Sequence, residues 1–369
     1  MSEFQLYEFM KCDRALTQAD KKALQQVSSR VKISGNKATF LYNYGGLRDS
    51  PQAVLVRHFD AMFYIANWGT MELYFRLPQG SINPEVFAPY YRHYDLELVT
   101  QGESEVLKIF YNLEDGYFLC DRDYYLDDLI ELRQALLDGD YRLLYLAWLR
   151  SIQTYIEDTK KSQLEPPIPP GLDDLSPELA AFIEIFELDL FLVQAAASAS
   201  GTQEKISDST IKKAISQLPR SECDRVLFDL LNHEPNLATN LKQKIAPFLP
   251  QTNESKPPQR TIEQLLTTAQ NDRQTQENQE KAIQKAQKIK EMNALAAREA
   301  EVWEFVENNI NRKTATAYDL AVSMLVQMRE TAEYQNQLSA FHQKIGELCD
   351  RHSKKSALIK RIQTAKLRF

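Results

Sequence analysis

One run of residues, VLVRHFDAMFYIANWGTMELYFRLP from Val54 to Pro78, restricts the folds open to this chain more than any other. Its first half is too apolar to face water. Its second half alternates apolar with polar side chains. Val54, Leu55, His58, Phe59, Met62, Ile65 and Ala66 recur at three- and four-residue intervals, which predicts a buried helix, and Pro51 stands where a first helical turn tolerates it. Asn67, Trp68 and Gly69 form the stop, because Asn and Gly enter the left-handed backbone region at low cost. Met71, Leu73 and Phe75 then alternate with Glu72, Tyr74 and Arg76 as a half-buried strand does, and Pro78 ends the ladder by lacking a donor. Trp68 is expected to pack in the seam between the two elements, with a ligand anchor as its other reading.

The flanking sequence completes a domain over residues 1–125. Residues 4–11 predict a strand. Thr17 and Asp20 predict a helix start of capping-box type, with Asp in place of Glu or Gln. A second strand is expected over 38–44, a short helix over 84–94, and a hairpin from 96–99 and 106–113 around Gln101-Gly102-Glu103. The fold class is an α+β amino-terminal domain, a small mixed sheet with helices on one face, followed by all-α middle and carboxy-terminal helical regions. Residues 126–249 predict a helical domain packed on the first. It carries a proline-stiffened segment, Glu165 to Leu172, and short helices near 209–217, 220–232 and 236–248. Residues 250–259 predict a proline-rich linker and 260–300 a long helical spacer, which has no apolar residue from Gln270 to Lys281 and so does not sustain a coiled-coil seam. Residues 301–369 predict a small helical module with a basic end, built on Trp303, Tyr318, Leu325, Met328, Phe341, Ile345, Leu348, Leu358 and Ile362.

Charge follows this division. Residues 1–250 carry 25 Lys and Arg against 36 Asp and Glu, whereas residues 251–369 carry 19 against 15. The absence of an 18-residue uncharged apolar run predicts no membrane span, and Glu3 and Glu8 occupy the place of a signal peptide's basic and apolar regions. A cytoplasmic location is expected. Cys12, Cys120, Cys223 and Cys349 are far apart and are read as reduced thiols.

Short motifs spread along the chain carry a resemblance. They include Tyr7-Glu8-Phe9, Ser28-Ser29-Arg30, Asn43-Tyr44-Gly45, Phe59-Asp60-Ala61, Ala66-Asn67-Trp68-Gly69-Thr70, Arg76-Leu77-Pro78, Leu146-Ala147-Trp148-Leu149, Glu165-Pro166-Pro167 and Pro169-Pro170-Gly171-Leu172. Arg351-His352 with Lys355, Leu358 and Arg361 closes the series. In these the chain resembles an uncharacterised bacterial family often encoded beside proteins with a SWIM-type zinc finger. The resemblance implies a shared pathway with such a protein as partner. It implies no activity and no catalytic residue.

The residues themselves offer little chemistry. His58, His93, His233, His342 and His352 have no metal-ligand spacing, no Cys-x-x-Cys occurs, and no glycine loop fits a phosphate, so no metal and no cofactor is expected. Asp121, Asp123, Asp127 and Asp128 lack calcium-loop spacing and read as a solvated helix start. Arg57, His58, Asp60, Trp68 and Arg76 are the candidate cleft residues if the chain is an unrecognised enzyme. Tyr90, Tyr91 and Tyr94 offer a contact surface or core packing. Arg351, Lys354, Lys355, Lys360, Arg361, Lys366 and Arg368 form a cationic terminal stretch able to meet a partner's acidic face or a phosphate backbone. The leading expectation is a non-enzymatic interaction or adaptor protein. A nucleic-acid-binding accessory protein using the basic end, and an enzyme, are the alternatives.

Overall fold

The computed structural model describes residues 4–12, 14–112, 125–157, 159–202, 207–232, 237–249 and 260–367. Arg368, Asp121, Asp123, Cys120, His233 and the expected linker 250–259 lie outside them. The chain divides into two compact units, Met1–Asp272 and Arg273–Phe369.

The first unit begins with β1 (Gln5–Met10), α1 (Gln18–Val27), β2 (Lys32–Ser34), β3 (Lys37–Tyr42), α2 (Pro51–His58), β4 (Ala61–Ala66) and β5 (Thr70–Pro78). It continues with α3 (Pro84–Phe87), β6 (Leu96–Gln101) and β7 (Ser104–Asn112). The strands form a seven-stranded sheet in the order β2-β3-β1-β4-β5-β7-β6. The α+β class is the expected one. The sheet differs from expectation in that every pairing is antiparallel and helices cover both faces.

The Val54–Pro78 run explains the second difference. The helix stops at His58, where Phe59 turns extended at φ −135°, ψ 173°, and residues 61–66 are a strand rather than a continuation of the helix. A short apolar run cannot be assigned to helix or strand by periodicity when both faces of the element are buried. β4 is such an element, buried at all six positions. Ala61, Phe63 and Ile65 join one core, and Met62, Tyr64 and Ala66 join the other. Leu24 of α1 and Val54 and Leu55 of α2 close the second core, whereas the helical middle of the chain closes the first. β4 and β5 are joined by Asn67-Trp68-Gly69, with Ala66 opposite Thr70 and Gly69 at φ 98°. A three-residue hairpin loop needs a left-handed residue there, and glycine supplies it without strain.

The middle region contains α4 (Leu126–Leu129), α5 (Glu131–Leu137), α6 (Arg142–Thr154), α7 (Pro177–Ile185) and α8 (Leu190–Ala197), then α9 (Asp208–Ser216), α10 (Arg220–Leu231) and α11 (Leu237–Ile245). The expected single helix over 126–137 is thus two short ones. The proline segment is a largely buried strap. Ile168 and Leu172 join the first core, Tyr90 donates to the Pro167 carbonyl at 2.6 Å, and Ser200 donates to that of Pro169 at 2.8 Å.

α12 (Ile262–Ala297) crosses the division between the units. Ile262, Leu265 and Ala269 are buried in the first core, whereas residues 270–288 are all exposed. The helix breaks at Arg298, which lies at φ −118°, ψ 27° with neither glycine nor proline to mark it. In the second unit α13 (Glu299–Arg312), α14 (Ala315–Tyr334), α15 (Leu338–Arg351) and α16 (Ser356–Thr364) pack around the expected residues, with Trp303 at the edge of that core.

Candidate partner interface

Of the five cleft residues only Asp60 and Arg76 meet. Arg57 is exposed and meets Asp49 at 3.5 Å. His58 Nδ1 lies 2.9 Å from Asp20 Oδ1. Asp60 accepts from the Cys12 backbone N–H at 2.9 Å and from Arg76 Nη2 at 2.5 Å. Arg76 Nη1 donates to the Val56 carbonyl at 3.0 Å, so a cation on β5 satisfies the carboxy-terminal end of α2. Burial would raise the Asp60 carboxyl, but the hydrogen bonds from Arg76 and Cys12 outweigh it and hold it below its ordinary range. This is a clasp between α2 and the sheet. Trp68 is 42% exposed at the tip of the β4–β5 loop, not packed in a seam. A loop of three residues has no interior in which to bury an indole. It stands roughly 20 Å along the strand from Asp60 at about 3.3 Å per residue.

Asp20 belongs to the start of α1. Its carboxylate accepts from the Thr17 backbone N–H at 3.0 Å, while Thr17 Oγ1 accepts from the Asp20 N–H at 3.1 Å. That is the capping box the spacing predicts. Burial opposes ionisation of Asp20, but the bonds from His58 and Thr17 prevail and hold the carboxyl well below its usual range. Replacing Asp20 with alanine removes the acidic half of the capping box and the His58 contact together. The expected loss is about 2 kcal/mol, read from the urea unfolding midpoint near neutral pH. Because ionised Asp20 stabilises the native state, the same difference should shrink as pH falls below the ordinary carboxylate range.

Three of the six described residues of the basic terminal stretch are engaged within their own unit. Arg351 Nη1 lies 2.7 Å from Glu307, Lys355 donates to the Ile310 carbonyl at 3.1 Å, and Arg361 Nε donates to Asp319 at 2.7 Å. Lys354, Lys360 and Lys366 are exposed. Tyr90 is core, whereas Tyr91 and Tyr94 are 49% and 71% exposed. Among the described residues no cluster of His, Cys, Asp and Glu could hold a metal ion. No helix of the described residues is long and apolar enough to cross a membrane.

The feature that sequence reasoning misses is α10. None of its residues is buried. Leu227, Phe228, Leu230 and Leu231 are 55%, 65%, 59% and 78% exposed. Leu227, Phe228 and Leu231 form one stripe at helical spacing. The less exposed positions are Glu222, Cys223, Val226 and Asp229, so two acids sit on the inner side while the stripe stays outside. Two lysines of α11 form ion pairs with its neighbours. Lys244 bonds Glu222 of α10, and Lys242 Nζ donates to Asp138 at the end of α5 at 2.6 Å. A helical wheel of this sequence predicts the opposite orientation, because apolar stripes normally face a core. Compared with protein-family models, with curated proteins and with solved structures, the chain matches none.

Proposed function

We propose that this chain is a non-enzymatic interaction protein that docks a partner protein on the outer face of α10. The observation that supports this reading is the exposed stripe of Leu227, Phe228 and Leu231 on a helix with no buried residue. Large apolar side chains clustered on a surface cost solubility and are retained where a partner covers them. An amphipathic helix of the partner fits such a stripe, with anchors at the same three- and four-residue spacing. The SWIM-type zinc-finger protein implied by the resemblance is the first partner to try.

The test uses the purified full chain and that purified partner. Substitutions Leu227→Asp and Phe228→Asp should each weaken the complex by at least about thirtyfold if the stripe holds interface hot spots. They should leave thermal unfolding nearly unchanged, since exposed positions contribute little to stability. A complex indifferent to both substitutions would remove α10 from the interface. Light scattering separates the other occupant. A wild-type dimer that both substitutions convert to monomer would make the stripe a contact between copies of this chain and overturn the partner reading.

A further inference from the structure

A second site lies at the edge of the sheet, apart from α10. Pro84, Phe87, Ala88, Tyr91, Leu98, Thr100 and Glu105 enclose a pocket of about 360 Å³ between α3 with the turn after it and the paired strands β6 and β7. Its wall is apolar and aromatic except at Thr100 and Glu105. Glu105 is 8% exposed, and its Oε2 has no hydrogen-bond partner among the described residues. Its backbone is fixed in register opposite Leu77 on one side and Thr100 on the other, so the side chain is held on the face that carries the pocket. No ion pair to Glu105 is present among the described residues. The phenol of Tyr91 is engaged with His93 Nδ1 at 3.2 Å, which leaves the aromatic faces rather than the hydroxyl as the available surface.

A buried carboxylate oxygen without a donor is costly to maintain, and the cost is relieved by an arriving cation. Aromatic faces attract cations as well. The apolar remainder of the wall suits an alkyl stem. We propose that this pocket binds a primary alkylammonium group, with Glu105 as counter-charge and Phe87 and Tyr91 against the stem. A single unpartnered oxygen favours a compact ammonium over guanidinium, which seeks two parallel acceptors. The group can be a free amine or a lysine side chain, and the two are told apart by the probes.

The experiment titrates the full chain with n-butylammonium, with a blocked Gly-Lys-Gly peptide and with n-pentanol, following the amide resonances of Val86 to Tyr91 and Leu98 to Glu105. Millimolar affinity is expected for the small cation, about the strength open to a ligand of a few heavy atoms. Glu105→Gln should weaken butylammonium at least about tenfold while its circular dichroism matches the wild type, and Tyr91→Ala should weaken it less. Binding of both cations assigns the pocket to lysine side chains as well as free amines, and binding of butylammonium alone assigns it to free amines. Pentanol binding as tightly as butylammonium, or a Glu105→Gln variant that binds unchanged, overturns the proposal, as does failure of both cations to bind.

Discussion

Replacing Arg260 with alanine should cost the first unit about 3–5 kcal/mol, the range expected when one partner of a buried ion pair is removed. Arg260 Nε donates to Glu165 Oε1 at 2.7 Å and Nη1 donates to the Ala195 carbonyl at 2.7 Å. Tyr145 donates to the other Glu165 oxygen at 3.1 Å. Glu165 is 1% exposed. Burial raises its carboxyl above the ordinary range, and the bonds from Arg260 act against that rise. Without the guanidinium, the carboxylate faces a low-dielectric interior with one hydroxyl as donor. The backbone around the pair ties the start of α12 to the unit's core. Leu164 bridges Thr261, the Ile262 N–H donates to Gln163 at 2.9 Å, and the Glu263 N–H donates to Lys161 at 2.9 Å. Hydrogen exchange should therefore accelerate over residues 262–269 along with the fall in the urea midpoint. The pair Glu165→Met with Arg260→Met should cost less than Arg260→Ala alone, because no charge remains buried. Arg260 Nη2 itself lacks a partner among the described residues, so the intact pair is not an ideal one. A loss below about 1 kcal/mol for Arg260→Ala would refute this account.

The Glu165–Arg260 contact also marks where sequence reading ends. The two residues are 95 positions apart, and neither has a local signature that names the other. Local signals read well. Thr17 and Asp20 at three-residue spacing gave the α1 start, and the helices of the second unit followed from caps and apolar periodicity. β4 did not, because a strand buried on both faces loses the alternation that identifies strands. Of the candidate cleft residues, Asp60 and Arg76 come together and the rest do not, for a related reason. Arg57, His58 and Asp60 are adjacent in sequence, but the end of α2 sends them to three different partners, Asp49, Asp20 and Arg76. On α10 the sequence predicts a helix over 220–232 but not which way its apolar residues face. That orientation is a matter of tertiary packing, in which Lys244 of the next helix pairs with Glu222 on the less exposed side. Glu105 was silent for the same reason, since an acid in a strand reads as solvent-facing until its cover is known.

The other large effect expected is a pH dependence centred on Glu8. Glu8 lies on β1, near the middle of the sheet, and is 4% exposed. Its Oε2 accepts from the backbone N–H groups of Tyr125 and Leu126 at 2.9 and 2.8 Å, where α4 begins. Its Oε1 has no partner among the described residues. Burial pushes the carboxyl up from 4.5 to about 7, against the opposing pull of the two backbone donors. The folded chain thus holds this proton more tightly than the unfolded chain does. The resulting stabilisation is fully present below about pH 4.5 and is lost as pH rises through 7. Glu8→Gln keeps an oxygen for the two N–H groups and carries no charge at any pH. The two proteins should be nearly equal in stability at pH 4.5. By pH 8 the glutamine variant should be the more stable by about 3 kcal/mol, from roughly 1.4 kcal/mol for each tenfold difference in proton affinity. Every other titrating group is common to both proteins, so the difference between their urea midpoints isolates this one. The same comparison reports on the packing of α4 against β1, because only a carboxylate kept from water by that contact titrates so high. A gap between wild type and Glu8→Gln that stays constant from pH 4.5 to 8 would mean that water reaches Glu8 in solution.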